Sequence, residues 1–484
     1  MKNLNENKNE LIPVLDDDKE KFIQPAIGLF NNIFYYGFFI PCRERNNEKK
    51  VDTFCLVTDN KGIIPVNNGK IEKLNAMLSS NPSKINDSRW SFRSIKEYLD
   101  GAPTQNPMEV FLKIRNIYEY YIDFSDNEAY DFFSLWSIGT YIYTIFQSYP
   151  YVYLHGMKAV GKSKCIALTN CIVFNAIFSG NMTTPTIFRL IEDHGCTLLI
   201  DETEKLSSRE RQEDFRNILL NGYKFGARAY RTEEKNNSGS YKVKGFDLYS
   251  PKMLANISGL DDVLEGRCIR FILKKTHNKE ICNRDIKTDS LLWGEIRDDL
   301  YVIALTQWKE IKKIYDELKN DSDIVDRDWE LWKPIFAIAK FIGSDLFERM
   351  KLLAKVKSTE AHNENVSDTL EYLLVRALLK IVEKDDFYKI KLIRSKMTES
   401  YDEEQDCLTH RWIGAALKRL GFIEKRRIGD GTEVRLTVKA VTDIGERLGV
   451  LEVDSPCTQS SQNTLGVESE CSEGNEENCN GALI

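Results

Sequence analysis

The chain has 484 residues, 42% of them hydrophobic and 29% charged, and a net charge of −7 at neutral pH. These are proportions of an ordinary globular protein with room for roughly two to four domains, and they exclude a uniformly basic nucleic-acid binder. Contact with DNA must therefore come from local basic patches. The eleven cysteines are scattered, with no C-x-x-C pair, which argues against a zinc site and for reduced thiols in a cytoplasmic setting.

Taken in chain order, residues 1–24 are polar and charged, without a signal-peptide pattern, and read as disordered. Residues 25–105 read as a small β-rich unit, because "NNIFYYGFFIP", "VDTFCLVTD" and "GIIPV" alternate with polar breaks. From Phe132 to Met157 there is no charged side chain, a run long enough to cross a bilayer. Gln147, Ser148 and Pro150 interrupt it, so the expectation is a buried helix over 128–147, a break, and a short buried strand, with no membrane partner.

The stretch "YVYLHGMKAVGKSKC" then fits G-x-x-x-x-G-K-[ST]. A strand before it and a helix, "SKCIALTNCIVFNAIF", after it would make a phosphate-binding loop of Gly156, Met157, Lys158, Ala159, Val160, Gly161, Lys162 and Ser163. Backbone N–H groups at the helix N-terminus bind phosphate oxygens. Lys162 would reach the β and γ phosphates of ATP, and the Ser163 hydroxyl would ligate Mg²⁺.

Next, "TTPTIFRLIEDHG" offers Thr184 as a helix cap, Pro185 at the first helical position and Gly195 as a stop. In "CTLLIDETEKL" four apolar residues precede Asp201 and Glu202. Consecutive apolar residues mark a parallel strand buried on both faces, and ligands bind at the carboxyl ends of such strands. Asp201 is the expected magnesium-side acid and Glu202 the base that activates a water. The expected order is strand, loop, helix, helix, strand.

The 53 residues between Glu202 and Asn256 read as a helix followed by two β-like runs around Asn236-Asn237-Ser238-Gly239, a hairpin signal. "PKMLANI" reads as a further buried strand ending at Asn256, which would hold the attacking water with Glu202. Arg267, in "VLEGRCIRF", sits where it could reach a neighbouring subunit's phosphates; Arg270 competes for that role, and a surface ion pair is the plain alternative. Residues 275–360 read as a helical lid.

In 361–450 a helix, "HRWIGAALKRLG", precedes two strand-like runs joined by "GDG", the order of a winged helix. Residues 409–439 hold eight Lys/Arg and three acids. Arg411, Lys418 and Arg419 would face a major groove, and Arg426, Arg427 and Arg435 the backbone, unless the domain contacts protein instead. Residues 451–484 carry seven acids and no Lys or Arg and read as a disordered tail.

The glycine loop, "LLIDE" at 198–202, Asn256 and "GRC" at 266–268 together resemble an AAA+ ATPase. "GRC" is similar to the "SRC" element of clamp-loader ATPases except in its first residue. "TLLIDETEKL", "GARAYR", "YSPKMLANISGL" and "RCIRF" resemble the helicase-like ATPases of plasmids, viruses and other mobile elements, which are similar to superfamily-3 and minichromosome-maintenance helicases.

The resemblance covers about 128–345 and implies an α/β fold: a P-loop AAA+ parallel-sheet core over 106–274 with leading helices and a helical lid. It implies Mg-ATP hydrolysis, a homo-oligomeric ring such as a hexamer, and single-stranded or forked DNA as partner, with helicase action in replication of a mobile element. It nominates Arg327, in "DRDWELWKPIFAIAKFIG", as a further γ-phosphate arginine. It also nominates the hairpin as a DNA grip, through Lys235, Lys242 and Lys244. The alternative is an AAA+ nucleotide-dependent switch or defence NTPase that binds DNA or protein without unwinding.

Overall fold

The computed structural model describes residues 21–43, 50–84, 89–179, 182–201, 209–233, 242–256, 260, 262–276, 278–320, 324, 326–367, 370–398, 409–429, 431–447 and 450. The chain divides into two compact units, residues 1–362 and 363–484.

The first unit opens with strands β1 (Lys21–Ile23), β2 (Ile27–Phe30), β3 (Ile33–Arg43), β4 (Lys50–Thr58), β5 (Ile63–Pro65), β6 (Lys70–Ile71) and β7 (Ala76–Leu78). β2 to β5 pair in sequence as an antiparallel sheet, while β1, β7 and β6 make a small second one. One face of β3 does not stand apart from the rest of the unit. Tyr36 and Phe38 pack on Trp90 and Tyr301, and Trp90 stacks on Tyr301 at 4.9 Å between ring centroids.

Helices α1 (Phe92–Leu99), α2 (Pro107–Tyr121) and α3 (Asn127–Gly139) follow. The helix expected over 128–147 ends at Gly139. A Cβ there would lie 2.2 Å from the Tyr149 hydroxyl, which donates at 2.6 Å to the Trp136 carbonyl near the helix end. Residues 140–150 continue as turns and a short 3₁₀ segment. Asp131 of α3, almost fully buried, accepts from Arg115 Nε of α2 and, through its second oxygen, from an Arg349 Nε, each at 2.8 Å.

The centre is a five-stranded parallel sheet, so the unit is mixed α/β. In chain order its elements are β8 (Tyr151–His155), α4 (Lys162–Ile172), β9 (Ala176–Ser179), α5 (Thr184–His194), β10 (Thr197–Ile200) and α6 (Arg209–Asn221). There follow β11 (Arg228–Glu233), β12 (Lys242–Asp247), β13 (Lys252–Ala255), α7 (Asp262–Glu265) and β14 (Cys268–Ile272). The sheet order is β14-β8-β13-β10-β9.

β9 corrects the expected order. Helix α4 does not run on to residue 178; it stops at Ile172, Val173 is extended and Asn175 takes a positive φ of 38°. The β-branched and aromatic residues beyond it favour a pleated strand, here the sheet edge beside β10. The carboxyl end of α4 receives two guanidiniums: Arg89 donates to Asn170 and Val173 carbonyls, and Arg297 to that of Cys171. Cations there complement the helix dipole. Helix α5 ends on Gly195 at φ +52°, as expected, with Thr183 rather than Thr184 as its N-cap.

β11 and β12 form the expected antiparallel hairpin, Arg228 opposite Asp247 through to Glu233 opposite Lys242. Helices α8 (Lys279–Asn283), α9 (Leu291–Glu317), α10 (Asp326–Ile342) and α11 (Ser344–Ser367) complete this unit, α11 crossing its boundary.

The second unit holds α12 (Leu370–Ile381), β15 (Asp386–Lys389), α13 (Ile390–Thr398), α14 (His410–Arg419), β16 (Lys425–Ile428), β17 (Gly431–Leu436) and α15 (Val438–Arg447). Its three strands are antiparallel in the order β15-β17-β16. Leu374, Ile393, Ile413, Leu417, Val434 and Leu436 make its core. Among the described residues no helix is long and apolar enough to cross a membrane.

Candidate functional site

β8 lies between β14 and β13, and the first four residues of its "YVYLH" sequence are buried. Gly156 follows it at φ +148°, and a Cβ on it would lie 2.5 Å from the Leu273 carbonyl oxygen and 3.0 Å from Val160 Cγ2. Leu273 cannot retreat, because its N–H donates at 2.8 Å to the His155 carbonyl. Ala159 at φ +61° and Gly161 at φ +96° complete the loop, and Gly161 caps α4. Met157, Lys158 and Ala159 are exposed and Val160 is half-buried.

Lys162 is buried, its ammonium folded back onto the loop, where it donates to the carbonyls of Gly156 and of Met157, the latter at 3.0 Å. Ser163 is exposed and its hydroxyl donates to Asp201 Oδ2 at 2.6 Å. Asp201 is the first residue beyond β10, and Asn256 the first beyond β13, the strand between β8 and β10. The register pairs Ala255 with Leu154 and Leu254 with both Tyr153 and Ile200, so the three strands end level. The chain thus brings the loop 156–163, Asp201 and Asn256 to one sheet edge, the carboxyl edge where open parallel sheets bind ligands.

Asn256 is 4% exposed. Its Oδ1 accepts from the Tyr153 hydroxyl at 2.6 Å, and that hydroxyl is also 2.9 Å from His155 Nδ1. Sequence reading missed Tyr153 and His155. The available signal was weak: β8 carries two buried tyrosines, and of these the Tyr153 hydroxyl takes polar partners while that of Tyr151 has none among the described residues. Beside the loop, Lys164 donates to the Ile281 carbonyl at 2.5 Å, and burial lowers its pKa.

Arg267 lies elsewhere. It precedes β14, whose first residue pairs with Tyr151, so it sits at the amino edge, roughly 16 Å or one strand length from its own loop. Its Nε donates to the Leu220 carbonyl at 2.8 Å, its Nη1 to that of Val263, and its guanidinium lies 5.6 Å from the Tyr223 ring centroid. Arg270, on β14 itself, pairs with Glu265 at 2.8 Å. Arg327, in the first turn of α10, is exposed, with no hydrogen bond to the loop among the described residues. Glu202 and Lys235 lie outside the described residues, as does the side chain of Lys242, whose backbone belongs to β12.

Lys244 is half-buried, its ammonium 5.0 Å from the Phe246 ring centroid. In the second unit Arg411, Lys418 and Arg419 are exposed on α14, and Arg427 is exposed on β16. Arg426 and Arg435 are already engaged: Arg426 donates to Glu433 at 2.7 Å and lies 4.0 Å from the Phe387 ring centroid, and Arg435 pairs with Glu424 at 3.1 Å. Among the described residues no group of three or more His, Cys, Asp or Glu could hold a metal ion.

No known protein family matches the chain, and no curated protein does. Among solved structures, it is similar to a chain in "Structure of Drosophila ORC bound to DNA", at 12% identity and a TM-score of 0.20, covering 70% of this chain and 91% of that one. A likeness that slight carries no argument about fold or activity.

Proposed function

We propose that this protein is an Mg-ATP hydrolase of the AAA+ kind, with a P-loop core, a helical lid and a C-terminal winged helix, assembled as a homo-oligomeric ring and driving a motor on DNA. One observation carries the reading: the Ser163 hydroxyl and the Asp201 carboxylate meet at 2.6 Å beside a glycine turn that has no room for a side chain.

The residues fit the nucleotide and its metal. Magnesium bound with a nucleotide takes few protein ligands, commonly one or two oxygens, alongside water and phosphate. Ser163 and Asp201 are such a pair, so a cluster of several acids is not needed. Lys162 already rests on two loop carbonyls, and a phosphate would give its charge a better partner. The first N–H groups of α4 lack acceptors within the helix and would hold the phosphate oxygens. Bound magnesium would neutralise charge developing on the transferred phosphoryl group.

The chain's own residues then have distinct tasks. Glu202 would take the proton of the attacking water, and Asn256 would orient that water. Arg267, at the far edge of its own sheet, would serve a neighbour's site rather than its own, and Arg327 would approach the nucleotide from the lid. Lys235, Lys242 and Lys244 would meet DNA in the ring, with Arg411, Lys418, Arg419 and Arg427 as a second contact.

A second reading is a nucleotide-dependent switch that binds protein or DNA without unwinding. The observation favouring it is that Arg426 and Arg435 of the C-terminal unit are spent on internal acids. The ATPase rate with and without single-stranded and duplex DNA decides between them. A motor hydrolyses faster on DNA and loses that stimulation when Lys242 and Lys244 become Ala. A switch shows neither effect, and no nucleotide binding at all would overturn both.

A further inference from the structure

Resting on the reading of a motor on DNA, we infer that the outward face of the β11–β12 hairpin is a stacking platform for an unpaired base of single-stranded DNA, with Tyr230 as the ring and Arg228 as the phosphate contact beside it. Side chains alternate across a strand, so the pairing fixes which residues share a face. Ala229, Arg231, Lys244 and Phe246 lie on one side. That side is packed: the Phe246 ring centroid is 4.6 Å from that of Phe188 on α5, the Arg231 guanidinium 5.6 Å from Phe188, and the Lys244 ammonium 5.0 Å from Phe246. Arg228, Tyr230, Thr232, Val243 and Gly245 lie on the other.

The second face is open. Tyr230 is 65% and Val243 63% exposed, and Arg228 and Thr232 are exposed as well. Gly245, opposite Tyr230, has no side chain, and a Cβ there would lie 3.0 Å from Tyr230 Cε1 and 3.5 Å from Arg228 Cδ. The ring and the arginine stem therefore share the bare backbone of one glycine as their seat, and a glycine inside a strand often marks the close approach of another group. Asp247, opposite Arg228, draws the guanidinium towards the base of the hairpin, while its own Oδ1 accepts from the Tyr249 N–H at 2.9 Å. Residues 228–247 hold five Lys/Arg against three acids, the net positive charge that an anionic strand requires. A nucleotide offers both groups a partner: a π-face for the ring and a phosphate for the guanidinium. In a duplex each base is stacked and paired on both sides, so the platform takes the unpaired strand.

The test measures binding of a labelled oligo(dT) and of a labelled blunt duplex to the full chain, by fluorescence anisotropy over a salt series. Tyr230→Phe keeps the ring and should bind the single strand within about twofold of the unaltered protein. Tyr230→Leu keeps an apolar cover for Gly245 but no π-face. It should bind the single strand roughly 5-fold to 150-fold more weakly, the range for one stacked base, with duplex affinity and the salt dependence unchanged. Arg228→Gln should flatten the single-strand slope of log K against log salt by about 0.7, one phosphate contact.

Unchanged single-strand affinity in Tyr230→Leu would overturn the inference. So would an equal loss in Tyr230→Phe, which assigns the effect to the hydroxyl, or an equal loss on duplex, the mark of a damaged hairpin. A changed oligomeric state in Tyr230→Leu, read by light scattering, with single-strand binding intact would make the face a contact between copies of this chain instead. Should Tyr230→Leu fail to fold, Tyr230→Trp decides: oligo(dT) should quench more of its fluorescence than of the unaltered protein's, and equal quenching refutes the platform. Failure of the motor reading looks different: the unaltered protein would bind neither oligonucleotide at any salt, and the platform would fall with it.

Discussion

The two glycines of the loop should respond unequally to the same small change. Gly156→Ala places a methyl group 2.5 Å from the Leu273 carbonyl oxygen, a backbone atom pinned by its own N–H bond to His155, at a φ of +148° that L residues rarely adopt. Strain of about 1–3 kcal/mol for the backbone and a similar cost for overpacking give roughly 2–6 kcal/mol. Gly161→Ala also has a positive φ, +96°, but nothing lies within 4 Å of the added carbon. Its cost is the backbone term alone, about 1–2 kcal/mol.

Strands β8 and β14 are fixed by their ladder, so the loop absorbs the strain and must resolve it to close on phosphate. Taking 1.4 kcal/mol per decade, ATP affinity should fall by about 30-fold to 10⁴-fold in Gly156→Ala and by about 5-fold to 30-fold in Gly161→Ala. Titration with a fluorescent ATP analogue, alongside thermal melts to confirm folding, gives both numbers. Equal losses in the two variants, or wild-type affinity in Gly156→Ala, would refute the steric account of the loop.

Lys162→Ala should abolish measurable ATP binding, whereas Glu202→Gln should bind and lose turnover, because the first removes a ground-state contact and the second only the water's base; equilibrium binding beside a phosphate-release assay separates them. Arg267→Ala should cut hydrolysis about 10³-fold at nearly normal affinity, and mixing with Lys162→Ala subunits should restore activity at mixed interfaces, read from the rate across mixing ratios.

Asp131→Asn should cost about 3 kcal/mol, mostly from the largely buried Arg115 with a smaller share from half-exposed Arg349. At about 2.1 cal/mol/K per residue of unfolding entropy, that lowers Tm by roughly 4 °C in a unit of this size, measurable by calorimetry. Burial pushes the Lys252 ammonium from 10.5 down to about 7. Between those values the unfolded chain binds the extra proton, so stability should rise with pH by at most about 1.4 kcal/mol per unit, relative to Lys252→Met in paired denaturation curves.

The local pieces of this protein are legible along the chain. The short apolar runs "YVYLH" and "TLLI" read as buried strands, and they are the strands β8 and β10. The glycines at 156 and 161 announced a turn that other residues resist, and Gly195 a helix end. Those features are legible because they depend on a residue and its near neighbours: period, φ preference, the presence or absence of a side chain.

What lies beside what depends on contacts between distant segments. Helix α4 stops at Ile172 because Ala176–Ser179 finds a partner strand in β10, a contact no local window contains. The insertion of β13 between β8 and β10 sets Asn256 between the glycine loop and Asp201, and the sheet's direction sends Arg267 to the opposite edge. The link from His155 through Tyr153 to Asn256 joins residues about a hundred positions apart. Hydrogen bonds over such separations follow from strand order, and strand order is fixed by how the whole sheet is covered, not by any segment of it.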